Sequence, residues 1–180
     1  LPRAKRVKTT FQLPETNAMQ KYIFSLIFLM ATGSYAIAQE AIYLIRHGEK
    51  ELSGDDPALT IEGRKRAADW AKMLGKVGLD AVITSNALRT RETGGIIASE
   101  LDLEASALPT NDVAGMVDAL EFDHEDETVL VIGHAETIPR ILQMLGMLES
   151  ITIDQSEFDN LFIVKRPTAE EPVFIHLKMP

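Results

Sequence analysis

The chain has no cysteine among its 180 residues, which excludes a disulfide framework and any zinc site built on thiolates. It has no long hydrophobic stretch either: the run from Tyr22 to Ala31 falls short of the ~20 apolar residues that a bilayer span needs. Nor does it have an excess of base. Eighteen Lys and Arg stand against 27 Asp and Glu, a formal net charge of −9, the wrong sign for a binder of phosphate backbones, so nucleic acid is not an expected partner. Eleven Gly and eight Pro beside a 46% hydrophobic content exclude a low-complexity chain and predict one globular domain with a sizeable core.

Charge is unevenly spread. Before Glu40 the bases are Arg3, Lys5, Arg6, Lys8 and Lys21, and the acid is Glu15. Lys21, the short apolar run after it and the small residues Ala36-Ile37-Ala38 have the form of a secretory signal peptide. Met19 is its natural start. The sequence therefore predicts an upstream segment at 1–18, a signal peptide at 19–38 cleaved after Ala38, and a domain at 39–180 that is periplasmic or secreted, with no membrane contact after cleavage. Setting aside the five bases and one acid before Gln39 leaves 13 bases against 26 acids in that domain.

Within the domain, short apolar runs alternate with helical patterns. Strands are predicted at Ala41 to Ile45, Ala81 to Thr84, Thr128 to Ile132, Leu161 to Val164 and Val173 to Leu177. The first and third are continuous apolar runs, as in strands covered on both faces. Helices are predicted at Thr60 to Val77, Ala87 to Leu101, Val113 to Leu120 and Thr137 to Leu148, with Thr60 as an N-cap and Gly78 as a stop. Met116, Met144 and Met147 read as helix core, and Trp70 as packing. The alternation predicts an α/β fold, a three-layer αβα sandwich with a mostly parallel central sheet.

Such sheets hold ligands beyond the carboxyl ends of their strands. The first strand ends in Arg46-His47-Gly48, the second in Ser85-Asn86 with Arg89 and Thr93 in the following helix, and the third in Gly133-His134 with Thr137 opening the next. Alone, each of these is an ordinary structural or surface residue. Together they bring two guanidiniums, two imidazoles and the open backbone of Gly48 to one face, a set suited to an oxyanion.

These residues resemble the histidine phosphatase superfamily, also called the phosphoglycerate-mutase-like family. Leu44-Ile45-Arg46-His47-Gly48-Glu49 is similar to its signature, Leu59-Thr60-Ile61-Glu62-Gly63 to the start of its first helix, Ser85 to Thr93 to its Ser-x-x-x-Arg-x-x-x-Thr segment, and Gly133-His134 to its second histidine. The resemblance implies a phosphomonoester hydrolase in which His47 takes the phosphoryl group as a phosphohistidine that water then removes. It implies that Arg46, Arg89 and His134, with Gly48, bind the phosphoryl oxygens. No metal or cofactor is expected, because the guanidiniums and the second imidazole supply the positive field.

The resemblance does not extend to a proton donor for the leaving oxygen. Asp112 and Glu136 are candidates, and Glu136 is the odder, since a carboxylate there repels a phosphoryl dianion unless protonated. Glu49 is a third, though it also reads as a structural partner for an arginine. Without an acid, substrates with good leaving groups, such as a phosphohistidine imidazole, are favoured. The alternatives are a non-catalytic phosphate-binding relative and a phosphoglycerate-type mutase. Short loops between Arg46 and Leu59 and between Leu101 and Val129 predict an open pocket, for a phosphorylated small molecule or a phosphoprotein.

Overall fold

The computed structural model describes residues 41–165 and 171–179, all within the unit Ala38–Pro180. The expected upstream segment and signal peptide lie outside the described residues. Among those residues no helix is long and apolar enough to cross a membrane.

The element order is β1 (Ala41–Arg46), α1 (Ile61–Leu74), β2 (Ala81–Ser85), α2 (Leu88–Leu101), β3 (Ala105–Leu108), α3 (Val113–Asp118), β4 (Val129–Gly133), α4 (Thr137–Met144), β5 (Asn160–Lys165) and β6 (Val173–Lys178). They form one sheet in the order β3-β2-β4-β1-β5-β6. The alternation of side chains along each strand sends apolar residues to both faces. Ile42, Leu44, Val129, Val131, Ile83 and Phe162 pack with α3 and α4. Ile45, Leu130, Ile132, Val82 and Leu161 pack with α1 and α2, where Trp70 is fully buried. The three-layer sandwich is therefore present, and Trp70 is packing as expected.

The sheet is parallel from β3 through β2 and β4 to β1, whereas β5 is antiparallel to both β1 and β6. The expectation of a mostly parallel sheet thus holds for four strands only. The physical reason lies after α4: the chain returns to the carboxyl end of β1, where Arg46 bonds the carbonyls of Asp154, Gln155 and Glu157. Starting from that end, β5 must run the other way. Strand β3 carries no sequence signal because its residues lie largely exposed at the sheet edge.

Helix ends also differ from expectation. Thr60 caps α1 by accepting from the Gly63 N–H at 3.1 Å, but the helix ends at Leu74, before Gly78. Helix α4 stops at Met144 because the chain turns at Gly146, whose φ of 101° is a glycine conformation. Met144 is half exposed as a result, so of the three methionines expected in the core only Met116 is fully buried. Helix α3 passes into a π-helical turn at Ala119–Asp123.

Close seams set the depth at which α1 and α2 sit. A Cβ on Gly94 would fall 2.3 Å from Thr84 Cγ2, while one on its neighbour Gly95 would meet nothing. Gly94→Ala should therefore cost about 1–3 kcal/mol through overpacking. Gly95→Ala, on the exposed side of the same helix, should gain up to about 1 kcal/mol from helix propensity. Urea unfolding of the two variants reads this contrast, and equal effects would contradict the close seam.

Candidate active site

Because β2, β4 and β1 are neighbours in the sheet, their carboxyl ends lie side by side. The backbone continues the β1–β4 register one residue further, His47 N–H donating to Gly133 O at 3.1 Å. His47 and His134 consequently face each other with ring centroids 5.3 Å apart. Both rings are almost wholly buried.

Their tautomers follow from their partners. His47 Nδ1 lies 2.7 Å from the Gly48 carbonyl, which can only accept, so Nδ1 carries the proton and Nε2 the lone pair. Arg89 donates from Nε to that Nε2 at 3.3 Å and sets Nη2 3.3 Å from His134 Nδ1. A guanidinium only donates, so His134 Nδ1 accepts, and Nε2–H donates to Ser85 Oγ at 2.9 Å. Ser85 Oγ in turn donates to Thr90 Oγ1 at 2.7 Å. Each proton in this chain has one acceptor.

Burial pushes the His47 imidazole down to about 3, aided by the neighbouring His134 ring and the guanidiniums of Arg46 and Arg89 and opposed by the bond to Gly48. Burial likewise pushes His134 down to about 4, with Arg89 the next cause. Both rings are therefore neutral at pH 7, and the lone pair of His47 Nε2 is directed at the Arg89 Nε–H.

Two expected phosphoryl ligands are placed differently from expectation. Gly48 does not offer its N–H to an oxyanion, because Thr93 Oγ1 accepts it at 3.0 Å. Glycine is needed there for space: a Cβ would fall 2.6 Å from the Gly63 carbonyl oxygen. Arg46 is largely claimed by the wall of residues 154–158. Its Nη1 donates to three carbonyls there, Nη2 donates to Gln155 Oε1 at 2.9 Å, and Phe158 covers the guanidinium with its ring centroid 4.1 Å away. Arg46 Nε remains buried without a partner among the described residues.

The candidate acids separate. Glu49 is an ion-pair partner of Arg66, with both oxygens 2.9 Å from Nε, which is its structural reading. Asp112 lines a cleft together with Ser85, Met116, His134 and Thr137, but its Oδ1 caps α3 at Gly115 N. Glu136 accepts from Gln155 Nε2 at 2.8 Å. Its burial favours the neutral acid, yet the bonds from its own backbone and Gln155 and the charges of His134 and Arg46 outweigh this and hold its carboxyl below the usual range. The ionised form is favoured, the opposite of what a proton donor needs.

Sequence reasoning did not find Asp56. Both of its oxygens accept from Leu88 N, at 2.9 and 3.0 Å, and Oδ1 lies 3.7 Å from Arg89 Nη1. Its loop has no periodic pattern, and the residues it meets, Leu88 and Arg89, lie more than 30 positions on. Gln155 and Phe158 were missed for the same reason.

Residues 42–110 match the family model of the histidine phosphatase superfamily, branch 1. Two curated relatives are a probable phosphoglycerate mutase GpmB of Serratia proteamaculans, 39% identical over 70 residues, and the mitochondrial serine/threonine-protein phosphatase Pgam5 of Drosophila simulans, 41% identical over 68. Each match covers 35% of this chain, and 33% and 24% of the respective relative. The chain thus spans a third or less of the curated relatives' length. Among solved structures, the protein histidine phosphatase SixA complexed with tungstate superposes with a TM-score of 0.65 at 22% identity, over 77% of this chain and 96% of that one. A mycobacterial glucosyl-3-phosphoglycerate phosphatase with VO3 gives 0.59 at 14% identity, over 76% and 97%. Residues 42–110 thus match the histidine phosphatase superfamily in sequence, and the fold is like that of the solved structures.

Neutral imidazoles impose a sign on acid stability. Between the ordinary value of 6.5 and about 4, the unfolded chain binds protons on His47 and His134 that the native state does not, so stability falls as pH drops through that window. His134→Gln removes one such site. The stability gap between parent and variant should shift in the variant's favour from pH 7 to pH 4 in urea unfolding; a gap independent of pH would overturn the assignment.

Proposed function

We propose that this domain is a phosphomonoester hydrolase working through a phosphohistidine on His47. The observation that carries the reading is the unprotonated His47 Nε2 facing the Nε of Arg89, whose Nη2 faces His134. Arriving phosphoryl oxygens replace the imidazoles as acceptors of the Arg89 donors, because a charged oxygen accepts more strongly than a neutral ring. That exchange frees the lone pair of His47. The nitrogen attacks phosphorus, the P–N bond forms as the P–O bond breaks, and the leaving oxygen departs with a proton. Water then attacks the phosphohistidine, returning the imidazole and releasing inorganic phosphate. Arg89, Arg46 Nε and His134 stabilise the equatorial oxygens in a water-poor site, so the chemistry runs without a metal.

The leaving group takes its proton from solvent or from a carboxyl group at the rim, with Asp112 the remaining candidate. Glu49 is spent on Arg66. A substrate that needs little protonation is therefore favoured, and the likeness to a protein histidine phosphatase makes phosphohistidine a first substrate to test. The non-catalytic phosphate-binding reading keeps the same cluster and omits the transfer. A mutase reading is less favoured, because the loops around the site are too short to enclose a small substrate. The expected periplasmic or secreted location stands with the N-terminal pattern of the sequence.

The test is hydrolysis of p-nitrophenyl phosphate by the full chain in EDTA. His47→Ala should reduce turnover to background and abolish an acid-labile, alkali-stable phosphoenzyme trapped by rapid quench. Arg89→Ala should lower kcat/KM by about 10²–10³-fold. Turnover that survives in His47→Ala, or that needs an added divalent ion, would sink the proposal.

A second expectation concerns Glu136. Its ionised carboxylate opposes a dianion, so Glu136→Gln should tighten inhibition by inorganic phosphate several-fold. An unchanged inhibition constant would show that the carboxylate does not face the phosphoryl site.

A further inference from the structure

We propose that Asp56 is a positioning residue for phosphoryl binding, holding the back of the Arg89 guanidinium so that its oxyanion-binding edge stays turned toward the two histidines. The inference rests on the reading of Arg89 as a phosphoryl ligand.

A planar guanidinium has one edge, formed by the Nε–H and one Nη2–H, whose two donors run parallel and match two oxygens of a phosphoryl group. That edge of Arg89 faces His47 Nε2 and His134 Nδ1, each 3.3 Å away. Nη1 lies outside it, and Nη1 is the nitrogen that Asp56 reaches, at 3.7 Å. The carboxylate therefore pairs with the cation without competing for the donors that an oxyanion would use.

Asp56 also fixes where the Arg89 side chain begins. Helix α2 starts at Leu88, and its N-cap residue Ala87 provides no side-chain cap. The Asp56 carboxylate supplies that acceptor from outside the helix, taking the Leu88 N–H on both oxygens. One carboxylate thus acts on two consecutive residues, on the backbone of the first and the guanidinium of the second. The loop that carries it is tied at its base by the Lys50–Leu59 bridge, by Glu51 N–H donating to Ala58 O at 2.9 Å and by Leu59 N–H donating to Glu92 Oε2 at 2.6 Å. Those ties make Asp56 part of the framework of the site, although half of its side chain is exposed.

The experiment uses the full chain with inorganic vanadate and inorganic phosphate as probes, measured by titration calorimetry. Asp56→Asn keeps an acceptor for the Leu88 N–H but no charge for Nη1, whereas Asp56→Ala keeps neither. Both variants should weaken binding of the two probes by ~tenfold, the effect of losing one orienting charge contact. Asp56→Asn should retain the parent's Tm, while Asp56→Ala lowers it. In an Arg89→Lys background, which keeps a cation but has no fork, Asp56→Asn should change binding by less than about twofold.

Three results would overturn the proposal. Asp56→Asn binding vanadate as the parent does would leave a helix cap only. The same loss persisting beside Arg89→Lys would show that Asp56 does not act through Arg89. A fall in kcat for alkyl phosphates but not for p-nitrophenyl phosphate would make Asp56 a proton donor instead. If the parent binds vanadate yet hydrolyses no phosphomonoester, the phosphatase reading falls while the binding comparison still decides the role of Asp56.

Discussion

Two imidazoles and a guanidinium share one buried space, and the arrangement is stable only because both rings are neutral. A protonated His47 or His134 would place a second positive charge within hydrogen-bond reach of Arg89, in surroundings that screen it poorly. Neutrality in turn forces the tautomers. The Gly48 carbonyl requires a proton on one nitrogen of His47, Arg89 forbids one on the facing nitrogen of His134, and Ser85 and Thr90 pass the remaining donors to backbone carbonyls. The electrostatics of the cluster thus leave a lone pair on His47 Nε2, and the bond from Arg89 Nε that defines this lone pair also covers it.

The scaffold serves this geometry through tight contacts. Thr93 links Gly48 to the Arg89 carbonyl, accepting from the first and donating to the second, so the turn after β1 and the first turns of α2 move as one. Gly48 and Gly63 let that turn and α1 approach within distances that no side chain would allow. Gly94 does the same for α2 against β2. Packing density, rather than any strong single bond, sets the positions of the three strand ends.

The parts legible in the sequence were those that leave a periodic or local mark. Buried strands β1 and β4 show as apolar runs, α1 shows through Thr60 at its cap, and Arg46, His47, Arg89 and His134 stand where strand ends and helix starts can be counted. What escaped lies in contacts between distant segments. Asp56 meets Leu88 and Arg89 through a loop without pattern, β3 has no buried face to betray it, and the turn to antiparallel pairing depends on a bond from Arg46 to carbonyls more than a hundred residues away. Gly48 was legible as a special position but for the wrong reason: spacing cannot show that its N–H is already taken.

The grip of Arg46 on residues 154–157 divides the site by origin. Both imidazoles and the Arg89 fork come from elements no later than α4, whereas the wall with Gln155 and Phe158 belongs to the segment that leads into β5. Among the described residues a single guanidinium carries most of the side-chain hydrogen bonds between them, and those on its Nη1 go to main-chain oxygens, which any residue supplies. Exchanging side chains along the wall therefore leaves the Nη1 bonds in place and removes only the contacts to Gln155 Oε1 and the Phe158 ring. The fold thus draws the histidine cluster and its wall from two separate stretches of chain joined mainly through main-chain oxygens, so the wall can vary in sequence while the cluster keeps its geometry.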